Sequence, residues 1–161
     1  MTAAIDTNVL IDILLNDPQF FEQSRALLEE YSARGALMVC PVVYGEILTQ
    51  FIKKFGPRCQ QRLDQFLRDI GITIAEFSSQ DVTLASERWY TYIQYKSLDV
   101  VDCPECGHRN MFACQRCKRP VRWRNHILSD FLIGSHAQNH AEVLLTRDRG
   151  FYKKYFSVKL A

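Results

Sequence analysis

The feature that most constrains the fold is a regular alternation of short strand-like runs with longer segments of helical periodicity. The runs with strand character lie at residues 3–5, 36–40, 72–77, 142–146 and 157–160. Most of them are apolar along their length, which is typical of strands that are covered on both faces. Strands that alternate with helices favour a parallel sheet. The sequence therefore predicts an α/β fold, a three-layer sandwich around a mostly parallel sheet of four to five strands.

Predicted helices occupy the intervals between these runs. Apolar residues recur there at spacings of three and four, which indicates amphipathic helices. Pro41 suits the first position of a helix, and Gly35 and Gly71 suit positions that follow a helix. The predicted helical segments are 9–14, 18–34, 41–54, 58–70, 79–96, 126–139 and 149–156.

The interval 98–125 is the exception, because it shows no clear periodicity. It contains four of the six cysteines, which are Cys103, Cys106, Cys114 and Cys117. Two CxxC pairs at this close spacing indicate a structural Zn²⁺ site with four thiolate ligands. Two disulfides, free thiols or a redox-active CxxC are the alternatives, and a reducing cytoplasm disfavours the disulfides.

This interval also sets the expected domain organisation. We expect residues 1–98 and 126–161 to form one α/β domain, with residues 99–125 inserted into it as a small zinc ribbon. A long segment without a core of its own needs another source of order, and a bound metal ion supplies one. The two remaining cysteines, Cys40 and Cys59, stand alone and are interpreted as buried thiols.

Charge is distributed unevenly along the chain. Residues 1–102 carry 9 Lys or Arg and 14 Asp or Glu, a net charge of −5, whereas residues 103–161 carry 11 and 4, a net charge of +7. This asymmetry is compatible with an acidic metal site beside a surface for a polyanion. It is also compatible with charges that only solvate the surface, and by itself it favours that second interpretation.

A cluster of basic and aromatic residues falls within the cysteine interval. Cations contact phosphates and aromatic rings stack on bases, so this combination favours contact with RNA. The alternative is that the aromatic residues pack the ribbon and the cations remain in solvent. The candidate RNA-binding residues are Arg109, Arg116, Lys118, Arg119, Arg122, Trp123 and Arg124.

Carboxylates lie where the predicted strands end or where the neighbouring helices begin. Asp6 ends the first strand, Glu46 lies early in the helix after the second, and Asp148 follows the fourth. Asp130 lies in the first turns of the helix that precedes the fourth strand. Because the functional crevice of such a sheet lies beyond the carboxyl ends of its strands, we expect these acids to meet there. Oxygen ligands in such a cluster suit Mg²⁺ or Mn²⁺.

Each acid also has a simpler explanation. Asp6 could cap the helix that follows it, and Glu46 could be a surface acid. Asp130 could stabilise the start of its own helix, and Asp148 could pair with a neighbouring arginine. We expect Asp12, six residues after Asp6, to face solvent, with a supporting role beside the metal ligands as the alternative.

The histidines point to no nucleophilic mechanism. His126, His136 and His140 lie on or near one predicted helix and are interpreted as packing or surface residues. His108 is expected to be exposed. No Ser–His or Cys–His pair is evident in the sequence, so a nucleophile of that kind is not predicted.

Four motifs carry a resemblance to a known family. They are "AIDTNVLID" at the start of the chain, "VVYGEIL" around Glu46, "HILSDFLIGSHA" around Asp130 and "EVLLTRDRGF" near the end. In this order the sequence resembles the PIN-domain nucleases, and within them the toxin subunits of VapBC-type toxin–antitoxin pairs. It differs from the small toxins in its long, cysteine-containing link before the Asp130 helix.

The resemblance implies the chemistry of the site. It implies that Asp6, Glu46, Asp130 and Asp148 are a metal-binding quartet for Mg²⁺ or Mn²⁺ in an endoribonuclease. It also implies supporting positions at Asn8 beside the first acid and at Thr146 beside the last. RNA is the implied substrate, and an antitoxin protein and a homodimer are the implied partners.

The sequence thus favours a metal-dependent endoribonuclease, with two rivals. One is a non-catalytic RNA-binding or assembly module, and the other is a nuclease that acts on DNA through the same acids. No apolar run approaches the ~20 residues that a membrane span requires, and no signal peptide is recognisable, so we expect a cytoplasmic protein.

Overall fold

A computed structural model describes residues 1–95, 100–102, 108–119 and 126–161. The strands in these residues are β1 (Thr2–Ile5), β2 (Ala36–Val39), β3 (Ile72–Ile74), β4 (Val100–Asp102), β5 (Arg109–Met111), β6 (Val143–Leu145) and β7 (Lys159–Leu160). The main sheet has five strands in the order β3-β2-β1-β6-β7, and all neighbouring strands in it are parallel. The prediction of a four- to five-stranded, mostly parallel sheet is therefore confirmed.

Helices flank this sheet, close to the segments that the periodicity predicts. They are α1 (Thr7–Leu15), α2 (Phe21–Ser32), α3 (Pro41–Phe55), α4 (Gln60–Asp69), α5 (Ser79–Tyr95), α6 (Leu128–His140) and α7 (Arg149–Tyr155). The predicted third strand, 72–77, is shorter in the structure because pairing stops at Ile74 on the outer edge of the sheet. Among the described residues, no helix has the length and apolarity needed to cross a membrane.

The core surrounds the three central strands. Successive residues of a strand point to opposite faces, yet all three residues of β6 are buried. The same holds for the last three residues of β1 and of β2. Both faces of the sheet are therefore covered, which explains why these segments are apolar without alternation.

A close approach fixes the position of α6. Gly134 lies against the ring of Phe156, and a Cβ atom at this position would lie only 2.3 Å from Phe156 Cε2. Only glycine lets the helix pack this tightly on the end of the chain. The packing matters because α6 begins with one of the candidate acids.

The start of several helices is placed at one edge of the sheet. The carboxyl edge is defined here as the edge where β1, β2 and β6 end. α1 follows β1 directly, α3 follows β2, and α7 follows β6. α6 runs opposite to the strands because it leads into β6, so its first turn lies at the same edge.

The cysteine interval contributes a small separate sheet. β4 and β5 pair antiparallel, with Val101 opposite Asn110. Both strands lie within the predicted insertion at 99–125, whose boundaries and independence from the α/β domain stay a prediction.

Candidate functional site

Asp6 is the central acid of the carboxyl edge. It follows β1, caps α1, and is only 5% exposed. Its carboxylate accepts hydrogen bonds from the Thr7 backbone N–H at 2.7 Å, Asn8 Nδ2 at 2.6 Å and Thr146 Oγ1 at 2.7 Å. Asn8 and Thr146, the supporting positions implied by the resemblance, therefore both contact Asp6.

The electrostatics of Asp6 show which other acids are near. Burial raises the pKa of Asp6 to about 6, although hydrogen bonds from Thr146 and Thr7 oppose the shift. The negative charges of Asp130 and Glu46 contribute to this rise. Asp6 therefore lies within electrostatic reach of acids that are far from it in sequence.

Glu46 is tied to Asp6 through one threonine. It lies early in α3, where Glu46 Oε2 accepts a short hydrogen bond from Thr7 Oγ1. The same Thr7 donates its backbone N–H to Asp6. Thr7 thus links the two acids.

Asp130 and Asp148 stand on either side of His126. His126 Nδ1 lies 3.6 Å from Asp130 Oδ2, and His126 Nε2 lies 3.9 Å from Asp148 Oδ2. The imidazole stacks on Phe151 with ring centroids 3.9 Å apart and an interplanar angle of 13°. The interpretation of His126 as a packing or surface residue missed this position, and its place in "HILSD", four residues before Asp130, was the available signal.

Asp148 is also linked back to Asp6. The Asp148 backbone N–H donates to Thr146 Oγ1 at 3.0 Å, and that hydroxyl donates to Asp6. A single hydroxyl therefore connects the end of β6 with the end of β1, and with them the first and last acids of the sequence.

The charges of three of the acids affect the pKa of one buried tyrosine. Tyr152 in α7 is 2% exposed, and burial raises its pKa strongly. The charges of Asp6, Asp130 and Asp148 add to that rise. Since one side chain interacts with all three carboxylates, they share one electrostatic environment.

The simpler explanations of the acids are also visible. Asp6 caps α1, and Asp148 caps α7 with the Phe151 N–H at 3.3 Å. Asp130 accepts the Ile127 N–H at 2.7 Å. A local capping role and a shared location at the carboxyl edge therefore coexist in the same side chains.

The four acids lie at one edge of the sheet, but they do not form a tight cluster of ligand atoms. In the described part of the chain, only one group of His, Cys, Asp or Glu residues offers three ligand atoms within 4.8 Å of one another. That group is a different cluster, Asp81, His136 and His140. The four acids at the carboxyl edge thus offer oxygen donors that are spread more widely than that cluster. Such donors suit a hard divalent cation that keeps several of its waters.

Asp12 corrects one expectation. It does not face solvent: it is 2% exposed and accepts from Arg147 Nε at 2.8 Å and Arg147 Nη2 at 2.9 Å. Ser24 Oγ donates to it at 2.6 Å. Arg147 is therefore committed to Asp12 rather than to Asp148, because a buried carboxylate needs a cationic or hydrogen-bonding partner.

The cysteine interval is described only in part. Cys103 and Cys106 lie outside the described residues. No disulfide involves Cys114 or Cys117. Backbone hydrogen bonds from Cys117 and Arg116 lower the pKa of the Cys114 thiol, which favours the thiolate that a metal requires. The zinc site stays a prediction.

The candidate RNA-binding residues have a similar status. Arg116, Lys118 and Arg119 are exposed. For Arg109 the structure describes the backbone in β5, and Arg122, Trp123 and Arg124 lie outside the described residues. Their contact with RNA stays a prediction.

Comparison with protein families identifies the chain. The family model for the PIN domain matches residues 3–157. The chain belongs to the PIN-domain family, and the resemblance drawn from the four motifs is confirmed at that level. No curated protein matches the sequence.

Solved structures share this fold at low sequence identity. VapBC2 from Rickettsia felis, bound to a DNA fragment from its promoter, is similar with a TM-score of 0.66 and 20% identity, covering 100% of this chain and 98% of that one. VapBC-1 from nontypeable Haemophilus influenzae gives a TM-score of 0.62 and 15% identity, covering 100% and 97%. Mycobacterium tuberculosis VapC20, a sarcin–ricin loop cleaving toxin, gives 0.57 and 10%, covering 96% and 95%. At such identities the likeness establishes the fold.

Proposed function

We propose that this protein is a metal-dependent endoribonuclease that hydrolyses phosphodiester bonds in RNA, as the toxin of a toxin–antitoxin pair. One observation carries the proposal. A hydrogen-bond network runs from Glu46 through Thr7 to Asp6, and from Asp6 through Thr146 to Asp148. Membership of the PIN-domain family supports a nuclease at the carboxyl edge.

Asp6, Glu46, Asp130 and Asp148 are the proposed ligands of Mg²⁺ or Mn²⁺. Such an ion, when bound, supplies charge for the phosphate and lowers the pKa of water. The raised pKa of Asp6 fits this role, since a buried carboxylate surrounded by other acids gains most from a cation. Asn8 and Thr146 hold Asp6 in one orientation, and Thr7 does the same for Glu46.

His126 lies between the other two acids, Asp130 and Asp148. Stacking on Phe151 fixes its ring, and its two nitrogens face Asp130 and Asp148. In this position it can act as a general acid toward a leaving oxygen beside the two carboxylates.

The choice of RNA and of partners rests on exposed basic residues and on the similar structures. Exposed Arg116, Lys118 and Arg119 supply positive charge on the cysteine interval, where we propose a structural Zn²⁺ held by Cys103, Cys106, Cys114 and Cys117. One similar structure is a toxin that cleaves the sarcin–ricin loop, and others are VapBC complexes. An antitoxin protein and a homodimer are the proposed partners, and the cytoplasm is the proposed location.

The test is cleavage of labelled RNA and of DNA of matched sequence, each with Mg²⁺, Mn²⁺ or excess EDTA. We expect RNA to be cut only with a divalent ion, and Asp6→Asn and Asp148→Asn to lose at least about a hundredfold in rate while remaining folded. Asp69→Asn, an exposed acid on α4, is the matched control.

Full activity of either site variant in EDTA would overturn the proposal. Cleavage of DNA alone would replace the substrate. Binding of RNA without turnover under any metal would favour the non-catalytic module.

A further inference from the structure

A second polar cluster lies at the far end of α6, away from the acids. One ligand atom each from Asp81, His136 and His140 lies within 4.8 Å of the other two. Asp130 and His140 are ten residues apart on α6, or about 15 Å along its axis. The cluster is therefore separate from the carboxyl edge, and the proposed nuclease mechanism does not use it.

Asp81 provides the charge. It is fully buried in the first turn of α5, where it accepts from the Ser78 N–H at 2.7 Å, Asn139 Nδ2 at 2.7 Å and His140 Nε2 at 2.9 Å. Burial raises its pKa, but these hydrogen bonds outweigh that effect and bring it down to about 2. Asp81 is therefore a buried anion at neutral pH.

His136 provides an unused ligand atom. It is 1% exposed, and its Nε2 has no hydrogen-bond partner. The His136 ring donates to the backbone carbonyls of Glu76 and Ala75. Since Nε2 has no partner, the donor is Nδ1. A proton on Nδ1 leaves the lone pair of Nε2 free, which is the arrangement found in histidines that bind metal ions.

His140 completes the group and opens it to solvent. It lies one helical turn beyond His136, so both imidazoles lie on one face of α6, with ring centroids 4.6 Å apart. Its side chain is 36% exposed, which gives an ion a route from solvent.

A structural hydrogen-bond network explains only part of this arrangement. It accounts for Asp81 and for the His140 ring, which are paired with each other. It does not account for a buried imidazole nitrogen with no partner in the part of the chain that the structure describes, and a buried polar atom is rarely left so.

We propose that Asp81, His136 and His140 form a binding site for a divalent transition-metal ion such as Zn²⁺. Two imidazoles and one carboxylate, with water in the remaining position, are donors that suit Zn²⁺ and Co²⁺ better than Mg²⁺. A bound ion would join the start of α5 to the end of α6 and satisfy the free nitrogen of His136. This proposal does not depend on the nuclease activity.

The test is Co²⁺ titration of the metal-free full chain, followed by visible absorption. Thiolate ligands give an intense near-ultraviolet charge-transfer band, whereas imidazole and carboxylate ligands give only weaker visible bands, so the cysteine site and this one are separable. We expect His140→Ala to lose the weaker component, with at least about tenfold lower affinity, and to keep the thiolate band. His108→Ala, which changes an exposed histidine elsewhere, is the matched control and should leave the weaker component unchanged.

A second measurement needs no variant. Co²⁺ broadens the NMR signals of nearby protons, and the chain has only 4 histidines. We expect the His136 and His140 ring signals to broaden at the lowest Co²⁺ concentrations. Unchanged binding in His140→Ala, or broadening confined to His108 and His126, would overturn the proposal.

Discussion

Two buried aspartates at opposite ends of the molecule differ in the direction of their pKa shift. Burial raises the pKa of Asp6 to about 6, while Asp81, which is at least as buried, has a pKa near 2. Both carboxylates accept hydrogen bonds. At Asp81 those from Ser78, Asn139 and His140 outweigh the effect of burial, whereas at Asp6 burial prevails and the charges of Asp130 and Glu46 add to it. The comparison shows that burial alone does not set the charge of a carboxylate, because its neighbours decide whether the anion is favoured.

The largest effect should follow from removing Asp81. Asp81→Ala leaves the α5 start, Asn139 and His140 without their acceptor, and we expect a loss of about 3–5 kcal/mol in the free energy of unfolding. Denaturant unfolding at neutral pH measures it. Since folding lowers the pKa of Asp81 from 3.8 to about 2, its contribution is present above pH 3.8 and is lost as the pH falls toward 2. A loss below about 1 kcal/mol would break the comparison.

Asp6 should behave in the opposite way. Folding raises its pKa from 3.8 to about 6, so the metal-free protein loses stability as the pH rises through that interval. Asp6→Asn removes this cost, and we expect a gain of up to about 3 kcal/mol at neutral pH and none near pH 4. Unfolding curves in EDTA measure the gain. Mg²⁺ should stabilise the wild type and not the variant; destabilisation of the metal-free variant at neutral pH would contradict the argument.

A third buried aspartate, Asp12, is paired with a cationic side chain. Asp12 is neutralised by Arg147, whose side chain is 35% exposed. Arg147→Ala leaves Asp12 with Ser24 only, and we expect a loss of about 2 kcal/mol, below the full cost of breaking a buried pair because Arg147 is partly solvated. Arg149→Ala, an exposed neighbour, is the control and should change stability by less than about 0.5 kcal/mol. Equal effects of the two variants would show that Asp12 does not require its partner.

The smallest effect concerns the link between Glu46 and Asp6. Thr7→Val keeps the shape of the side chain and removes the hydroxyl that binds Glu46. We expect about 1 kcal/mol of lost stability and about tenfold slower RNA cleavage, because Glu46 is then free to change orientation. Thr49→Val is the control, because it removes an exposed hydroxyl from α3, the helix that carries Glu46. Unchanged cleavage by Thr7→Val would separate Glu46 from the network.

Much of the fold was predictable because the central strands obey a local rule. The segments 3–5, 36–40 and 143–145 are apolar without alternation, a pattern that is typical of strands covered on both faces. The third strand was predicted too long, because its last residues lie at the edge of the sheet, where pairing rather than sequence sets the end. The cysteine spacing predicted a metal site, but a site of that kind is decided by the positions of all four sulfur atoms.

The site was predictable only as a set of acids. Their places at strand ends and helix starts indicated a common edge, and their role as one metal site stays a prediction. The roles of Thr7, His126 and Arg147 were missed, because each depends on a partner brought near by folding. Asp12 shows the same limit: its polar side chain suggested solvent, and the arginine that lets it be buried lies 135 positions away in the sequence.

The sequence by itself determined the alternation of strands and helices and the PIN-domain family, because these depend on local periodicity and short motifs. The tertiary structure alone decided which polar groups became neighbours. It gave Asp6 and Asp81 opposite pKa shifts and left one nitrogen of His136 unpaired. The physical reason is that the energy of a buried charge depends on distances of a few ångströms between residues that are far apart in the chain.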